Sequence, residues 1–82
     1  MSGYDVRLAL DDGEVLIIAA SDVDRVYENL WRLAPRPGAL TLAAVLVAET
    51  RAGTAIRPVD LTAVQTEIIR EAMSMPDVQA PG

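Results

Sequence analysis

Residues 4–20 read YDVRLALDDGEVLIIAA, and they predict the β-hairpin from which the rest of the fold is built. Apolar and polar side chains alternate from Tyr4 to Asp11, a period of two that predicts a β-strand with one buried face. Asp12-Gly13 follows and favours a hairpin turn, because glycine adopts positive φ without steric cost. Val15–Ala20 is continuously apolar, so we predict a second strand that is covered on both faces.

The first helix is predicted directly after this hairpin. Ser21 is placed to cap its N-terminus, with carboxylates in the first turn. Pro35 is expected to end the helix, and Pro35–Gly38 to form a rigid connector. The apolar side chains between these limits recur at the period of an amphipathic helix: Val23, Val26, Tyr27, Leu30, Trp31 and Ala34.

Residues 39–51 are compatible with two structures. Four alanines and three leucines favour a buried helix, with Gly53 as its terminator. Thr41, Val45 and Val47 would equally suit a central strand, because branched side chains are favoured in sheets. We predict the helix.

The last third of the chain is predicted to supply one strand and one helix. Ile56–Val59 is expected to be a short third strand at a sheet edge, because Pro58 has no amide proton to donate. Thr62 and Gln65 form a capping box that opens the last helix. Pro76 is expected to end that helix. Its apolar stripe is predicted to contain Val64, Ile68, Ala72 and Met75, flanked by Ile69 and Met73.

These elements follow the order ββααβα and predict an α+β fold. We expect a single small domain over residues 1–75, with helices packed on one face of a three-stranded sheet made of the N-terminal hairpin and a short edge strand. Residues 76–82 are expected to be a flexible tail. A chain of 82 residues is too short for a second core, and 51% apolar residues are too many for a disordered chain.

The composition removes most catalytic chemistry. The chain has no Cys, His or Lys, so it lacks the usual zinc ligands, the thiol nucleophile, the serine–histidine relay and the Schiff-base lysine. We therefore predict no enzyme activity, no cofactor and no metal site. The acids around Gly13 do not have the spacing of a calcium loop, and Asp and Gly are what the turn itself requires.

Charge is unevenly distributed along the chain. The net charge is −5, whereas residues 31–57 hold four arginines against one glutamate. These arginines either form a patch for an anion or a partner, or lie on ordinary solvated surface. Nucleic-acid binding is not expected for an acidic chain, since that affinity rests on clustered basic groups.

Localisation is expected to be cytoplasmic. No basic segment leads into an apolar stretch at the N-terminus, and the longest apolar run, Ala39–Ala48, is too short to cross a membrane. We therefore expect no membrane contact. Arginine in place of lysine, together with many alanines, is typical of a GC-rich bacterial genome.

Seven residues are candidates for an interaction surface. Tyr27 and Trp31 lie four residues apart on one predicted helix face, and the core is the expected place for both rings. Two alternatives are a stacking platform for a planar ligand and an interface anchor, because Trp and Arg are favoured at hot spots. The full set is Tyr27, Trp31, Arg32, Arg36, Leu42, Leu46 and Arg57.

The function predicted from the sequence is a non-catalytic protein–protein interaction or oligomerisation module. The apolar residues concentrate in Val15–Ala20 and Leu40–Ala48, more than one small core easily covers. We therefore expect a homodimer or an accessory subunit, joined through an exposed sheet edge or the second helix. One alternative is a nucleic-acid-binding or operon-type regulator that uses the segment Arg32–Arg57. Another is a small-ligand binder built on carboxylates, Tyr27 and Arg32.

Overall fold

The computed structural model of the chain describes residues 5–52 and 58–76. Their element order confirms the predicted ββααβα arrangement and the α+β class, and residues 39–51 are helical as predicted. Ile56, Arg57 and residues 77–82 of the predicted tail lie outside the described ranges. The elements are β1 (Val6–Ala9), β2 (Val15–Ile18), a 3₁₀ turn (Ala20–Asp22), α1 (Val23–Arg32), α2 (Ala39–Ala52), β3 (Val59–Asp60) and α3 (Ala63–Ser74).

The three strands form one mixed sheet with the order β2-β1-β3. β1 and β2 are antiparallel with Leu8 opposite Leu16, and β3 is parallel to β1 with Val59 beside Leu8. The amide of Leu61 donates to the carbonyl of Ala9 at 2.9 Å and extends this parallel pairing by one bond. The third strand therefore lies at a sheet edge, as predicted, although it begins after Pro58 instead of including it.

The hairpin between β1 and β2 is closed by a short turn at Gly13. The amide of Leu10 donates to the carbonyl of Glu14 at 2.8 Å, and the amide of Gly13 donates to the carbonyl of Leu10 at 3.0 Å. Gly13 has φ of 92°, a conformation that side chains with a Cβ rarely adopt. The sequence signal at Asp12-Gly13 thus marks the turn correctly.

Side chains of α3 hold this turn in place. The hydroxyl oxygen of Thr66 accepts a hydrogen bond from the amide of Asp11 at 3.0 Å. One turn further along α3, the guanidinium of Arg70 donates to the carboxylates of Asp12 at 2.8 Å and Glu14 at 3.2 Å. Thr66 is buried on the inner face of this helix, and the hydrogen bond from Asp11 gives its hydroxyl the partner that a buried polar group needs.

One hydrophobic core joins the sheet to the three helices. Val6, Leu8 and Ile18 are buried at alternate strand positions, so they lie on a single face of the sheet. The helices complete this core from that same side. Its members in the helices and the segment before α3 are Val23, Val26, Leu30, Ala39, Leu42, Ala43, Leu46, Leu61, Ile68, Ile69 and Ala72.

Two residues of α1 bind the C-terminal end of α3. The side-chain amide of Asn29 donates to the carbonyls of Ala72 at 3.1 Å and Met75 at 3.3 Å. The guanidinium of Arg25 donates to the carbonyls of Met73 at 3.2 Å and Met75 at 2.9 Å. The last carbonyls of a helix have no partner within it, so these bonds act as a cap supplied by another element.

The start of α1 differs from the prediction. Ser21 lies in the 3₁₀ turn, and the helix begins two residues later with Asp22 at its N-cap and no side-chain capping bond. The amide of Ala20 instead donates to the carboxylate of Asp5 at 2.9 Å. A residue from before β1 therefore binds the first amide of the 3₁₀ turn, and α1 itself begins without the side-chain cap that Ser21 was expected to supply.

The buried face of α3 contains Ile68, Ile69 and Ala72 as predicted, but it differs from the prediction in the first turn of the helix. The capping box of Thr62 and Gln65 is present as predicted. Val64, however, is 54% exposed, and Thr66 is buried instead because its hydroxyl binds the hairpin. Within the described ranges, no helix has the length and apolar character needed to span a bilayer.

Candidate interaction surface

The face of the sheet that is turned away from the helices exposes two apolar side chains to solvent, and we call these two residues, Val15 and Ile17, the apolar pair. Val15 is 52% and Ile17 is 55% exposed, so the prediction that β2 is covered on both faces is wrong. The outer sheet face, as we name it, consists of Arg7, Ala9, Val15, Ile17 and Asp60, which alternate with the buried strand residues. The strand register arranges them in two rows: Ile17 beside Arg7, and Val15 beside Ala9 beside Asp60.

This face also holds two charges of opposite sign. Arg7 and Asp60 are exposed, and neither takes part in an ion pair within 4.0 Å among the described residues. Both sit on paired strands, so their Cα positions are fixed relative to Val15 and Ile17. The outer sheet face therefore presents a rigid pattern of one cation, one anion and an apolar pair.

The two edges of the sheet differ in how they are protected. Charged side chains and proline normally block the pairing of an edge strand with another chain. β3 has both devices, because Pro58 precedes it and Asp60 lies within it. β2 has neither, and its sequence is VLII. The apolar pair thus lies on the unprotected side of the sheet.

Tyr27 and Trp31 form a second exposed feature, on α1. Their rings contact edge to face, with centroids 6.4 Å apart and planes at 71°. Trp31 is 52% exposed and Tyr27 is half-buried, so the expectation that both rings lie in the core is wrong for Trp31. The inner face of α1 is instead occupied by Val23, Val26, Asn29 and Leu30.

A cleft of about 310 Å³ lies beside Tyr27, between the start of α1 and the end of α2. Among the described residues its lining is Val23, Asp24 and Tyr27 from α1 with Val47 and Thr50 from α2. The hydroxyl of Thr50 donates to the carbonyl of Leu46 at 2.6 Å. That volume is at the lower end of the range for small-molecule pockets.

The remaining sequence candidates do not form one surface. Leu42 and Leu46 are fully buried in the core, so they are not available to a partner in this fold, which corrects their selection as interaction residues. Arg36 lies 3.6 Å from the carboxylate of Glu67 and also binds Glu71, so α3 already neutralises it. Arg32 is exposed next to Trp31, and Arg57 lies outside the described ranges.

The acids of the hairpin turn have a structural role. Asp12 and Glu14 both bind Arg70, and the second oxygen of Asp12 accepts from the amide of Glu14 at 3.0 Å. In the part of the chain that the structure describes, no cluster of three potential ligands is arranged to hold a metal ion. The interpretation of these acids as turn residues is consistent with both observations.

Sequence reasoning missed the outer sheet face. Its signal was present in β1, where the period of two places Arg7 and Ala9 opposite the buried Val6 and Leu8. In β2 the continuous apolar run concealed the same alternation. No protein-family model, curated protein or solved structure matches the chain, so the geometry of its own residues carries the functional argument.

Proposed function

We propose that this protein is a small non-catalytic interaction module that self-associates, with a second copy covering the outer sheet face. The observation that carries this proposal is the exposure of Val15 and Ile17 by more than half on a sheet whose other face packs against the hydrophobic core. Burial of apolar surface is favourable by about 25 cal/mol per Å². A second copy offers the same apolar pair and leaves no unmatched surface behind in a symmetric dimer.

The size of this face predicts a weak and reversible association. A specific interface buries at least about 1,000 Å² in total, whereas one face of these three short strands measures only about 13 by 14 Å and falls below that limit. The chain also carries a net charge of −5, which opposes self-association at low salt. We therefore expect the dimer to be concentration-dependent and to strengthen when salt screens the net charge.

The alternative functions receive less support from the described residues. A regulator that uses the segment Arg32–Arg57 would need free basic groups, and Arg36 is already bound by two glutamates. Trp31 offers a different contact for a partner, because a half-exposed tryptophan braced by Tyr27 resembles an interface anchor. The experiment below includes this residue, so the two surfaces can be distinguished.

The test compares Ile17→Glu with a matched control, Val64→Glu. Both positions are exposed to nearly the same extent, 55% and 54%, but Val64 lies on α3 and does not belong to the outer sheet face. Average mass is measured by light scattering at protein concentrations from about 10 µM to about 1 mM. A weak dimer should change from mostly dissociated to partly associated over this range. We expect the wild type and Val64→Glu to approach dimer mass with concentration, and Ile17→Glu to remain at 8.8 kDa.

Two results would contradict the proposal. One is a wild-type protein that stays at monomer mass over the whole concentration range. The other is a dimer that Ile17→Glu leaves intact and Trp31→Ala dissociates, which would place the contact on α1.

A further inference from the structure

We infer that the two copies pack sheet against sheet with Arg7 of each copy beside the partner's Asp60. This inference rests on the proposed function, since it describes how the outer sheet face meets a second copy. The supporting observation is the fixed pattern of charge on that face: Arg7 lies in the row of Ile17, and Asp60 lies in the row of Val15. Neither charge is in an ion pair within its own described residues.

The arrangement follows from the two rows. We place a two-fold axis between the two rows, parallel to the sheet and perpendicular to the strands. This axis puts the row of Ile17 and Arg7 opposite the partner's row of Val15, Ala9 and Asp60. Ile17 then lies over the partner's Val15, and Arg7 lies over the partner's Ala9, whose methyl side chain leaves room for the long arginine. Asp60 is one strand further along in the row of Ala9, so it becomes the nearest carboxylate to the partner's Arg7.

Electrostatics favour this arrangement over the simpler one. A two-fold axis along β1 would stack Arg7 on the partner's Arg7, and like charges facing each other across an interface are costly. The axis between the rows instead pairs Arg7 of each copy with the partner's Asp60. It also covers Val15 and Ile17 of both copies. Asp5 and Asp11 lie beyond the two rows, at the solvated ends of the strands, where salt screens them.

The experiment uses charge reversal in two separate variants, Arg7→Asp and Asp60→Arg. In either variant alone, both pairs of the dimer become like-charged, and we expect the dissociation constant to rise about tenfold or more. An equimolar mixture restores both pairs in the heterodimer, because one copy then carries two acids and the other two arginines. We expect the mixture to associate within about threefold of the wild-type constant.

The mixture separates this inference from an effect within one chain. Recovery of association in the mixture requires that positions 7 and 60 meet between copies. Circular dichroism of each variant checks folding, and both positions are exposed. A mixture that associates no better than its components overturns the inference.

The same data set tests the proposed function independently. If the wild type associates, Ile17→Glu dissociates it and Arg7→Asp changes nothing, the arrangement fails while the proposed surface stands. If the wild type and the mixture are both monomeric throughout, the arrangement and the proposed function fail together.

Discussion

At Asn29 the chain places a side-chain amide on the buried face of α1, beside Val26 and Leu30. Asn29 is fully buried, and its side-chain nitrogen donates to two carbonyls at the end of α3. Among the described residues its side-chain oxygen has no hydrogen-bond partner, so the contacts of this side chain to α3 come from its donor group. A buried donor that satisfies the last carbonyls of a helix contributes more than an exposed hydrogen bond, because water cannot replace it.

We predict that Asn29→Ala lowers the free energy of unfolding by about 1–3 kcal/mol, because it removes the donor to the carbonyl of Ala72 and leaves Arg25 as the donor to Met75. Urea unfolding followed by circular dichroism measures this loss. Glu28→Ala is the matched control, as Glu28 is the exposed preceding residue, and it should stay within about 0.5 kcal/mol of the wild type. Equal effects at the two positions would contradict this account of the α3 cap.

Leu30 and Trp31 are adjacent on α1 but are expected to contribute differently to the free energy of unfolding. Leu30 is fully buried, whereas Trp31 is 52% exposed. We predict that Leu30→Ala costs about 2–5 kcal/mol of unfolding free energy and that Trp31→Ala costs less than about 1 kcal/mol. Chemical unfolding under conditions where the protein is monomeric measures both values. A larger loss for Trp31→Ala would mean that the indole belongs to the core.

Among the elements, those marked by local chemistry could be predicted from the sequence. The turn at Gly13 and the capping box of Thr62 and Gln65 depend on residues close in the chain, and the structure contains both. Helix α2 could also be predicted, since alanine and leucine favour that state over 14 residues.

The exposure of individual faces could not be predicted in the same way. The run in β2 is apolar on both sides, and only the strand order β2-β1-β3 with helices on one side shows that Ile17 faces outward. Val64 fits the period of α3 but is exposed, whereas Thr66 is buried where its hydroxyl accepts from the amide of Asp11. In both cases long-range packing decides a burial that local pattern leaves open.

The contact between the hairpin turn and α3 provides a prediction at the scale of elements. Thr66 is buried, whereas the Arg70 side chain is 49% exposed and its acid partners are exposed as well. We predict that Thr66→Val costs about 1–2 kcal/mol of unfolding free energy, because the amide of Asp11 loses its acceptor. Arg70→Ala should cost less than about 1 kcal/mol, since solvent screens exposed ion pairs.

Urea unfolding at low and high salt compares these two variants. The Arg70→Ala loss should shrink as salt increases, whereas the Thr66→Val loss should not change. A salt-dependent loss at Thr66, or a larger loss at Arg70, would show that the ion pairs and not the buried bond hold the turn.

In the whole molecule, the two faces of the sheet differ in how much of their apolar surface is buried. Three helices and the inner sheet face share one core, while the outer sheet face has Val15 and Ile17 exposed. The apolar excess of the sequence predicts extra surface for burial, but the structure places it differently from the expectation. Leu42 and Leu46 of α2 are absorbed by the core, whereas Val15 and Ile17 of β2 lie side by side on the exposed face of the sheet. We therefore propose the sheet, and not α2, as the site of self-association.

The contact between the outer sheet faces of two copies can be observed by nuclear magnetic resonance on an equal mixture of isotope-labelled and unlabelled chains at high concentration. Filtering for contacts between labelled and unlabelled chains removes every contact within one copy. We predict intermolecular contacts between the methyl groups of Ile17 and the partner's Val15. Intermolecular contacts confined to the ring of Trp31, or none at a concentration of about 1 mM, would contradict the proposed packing.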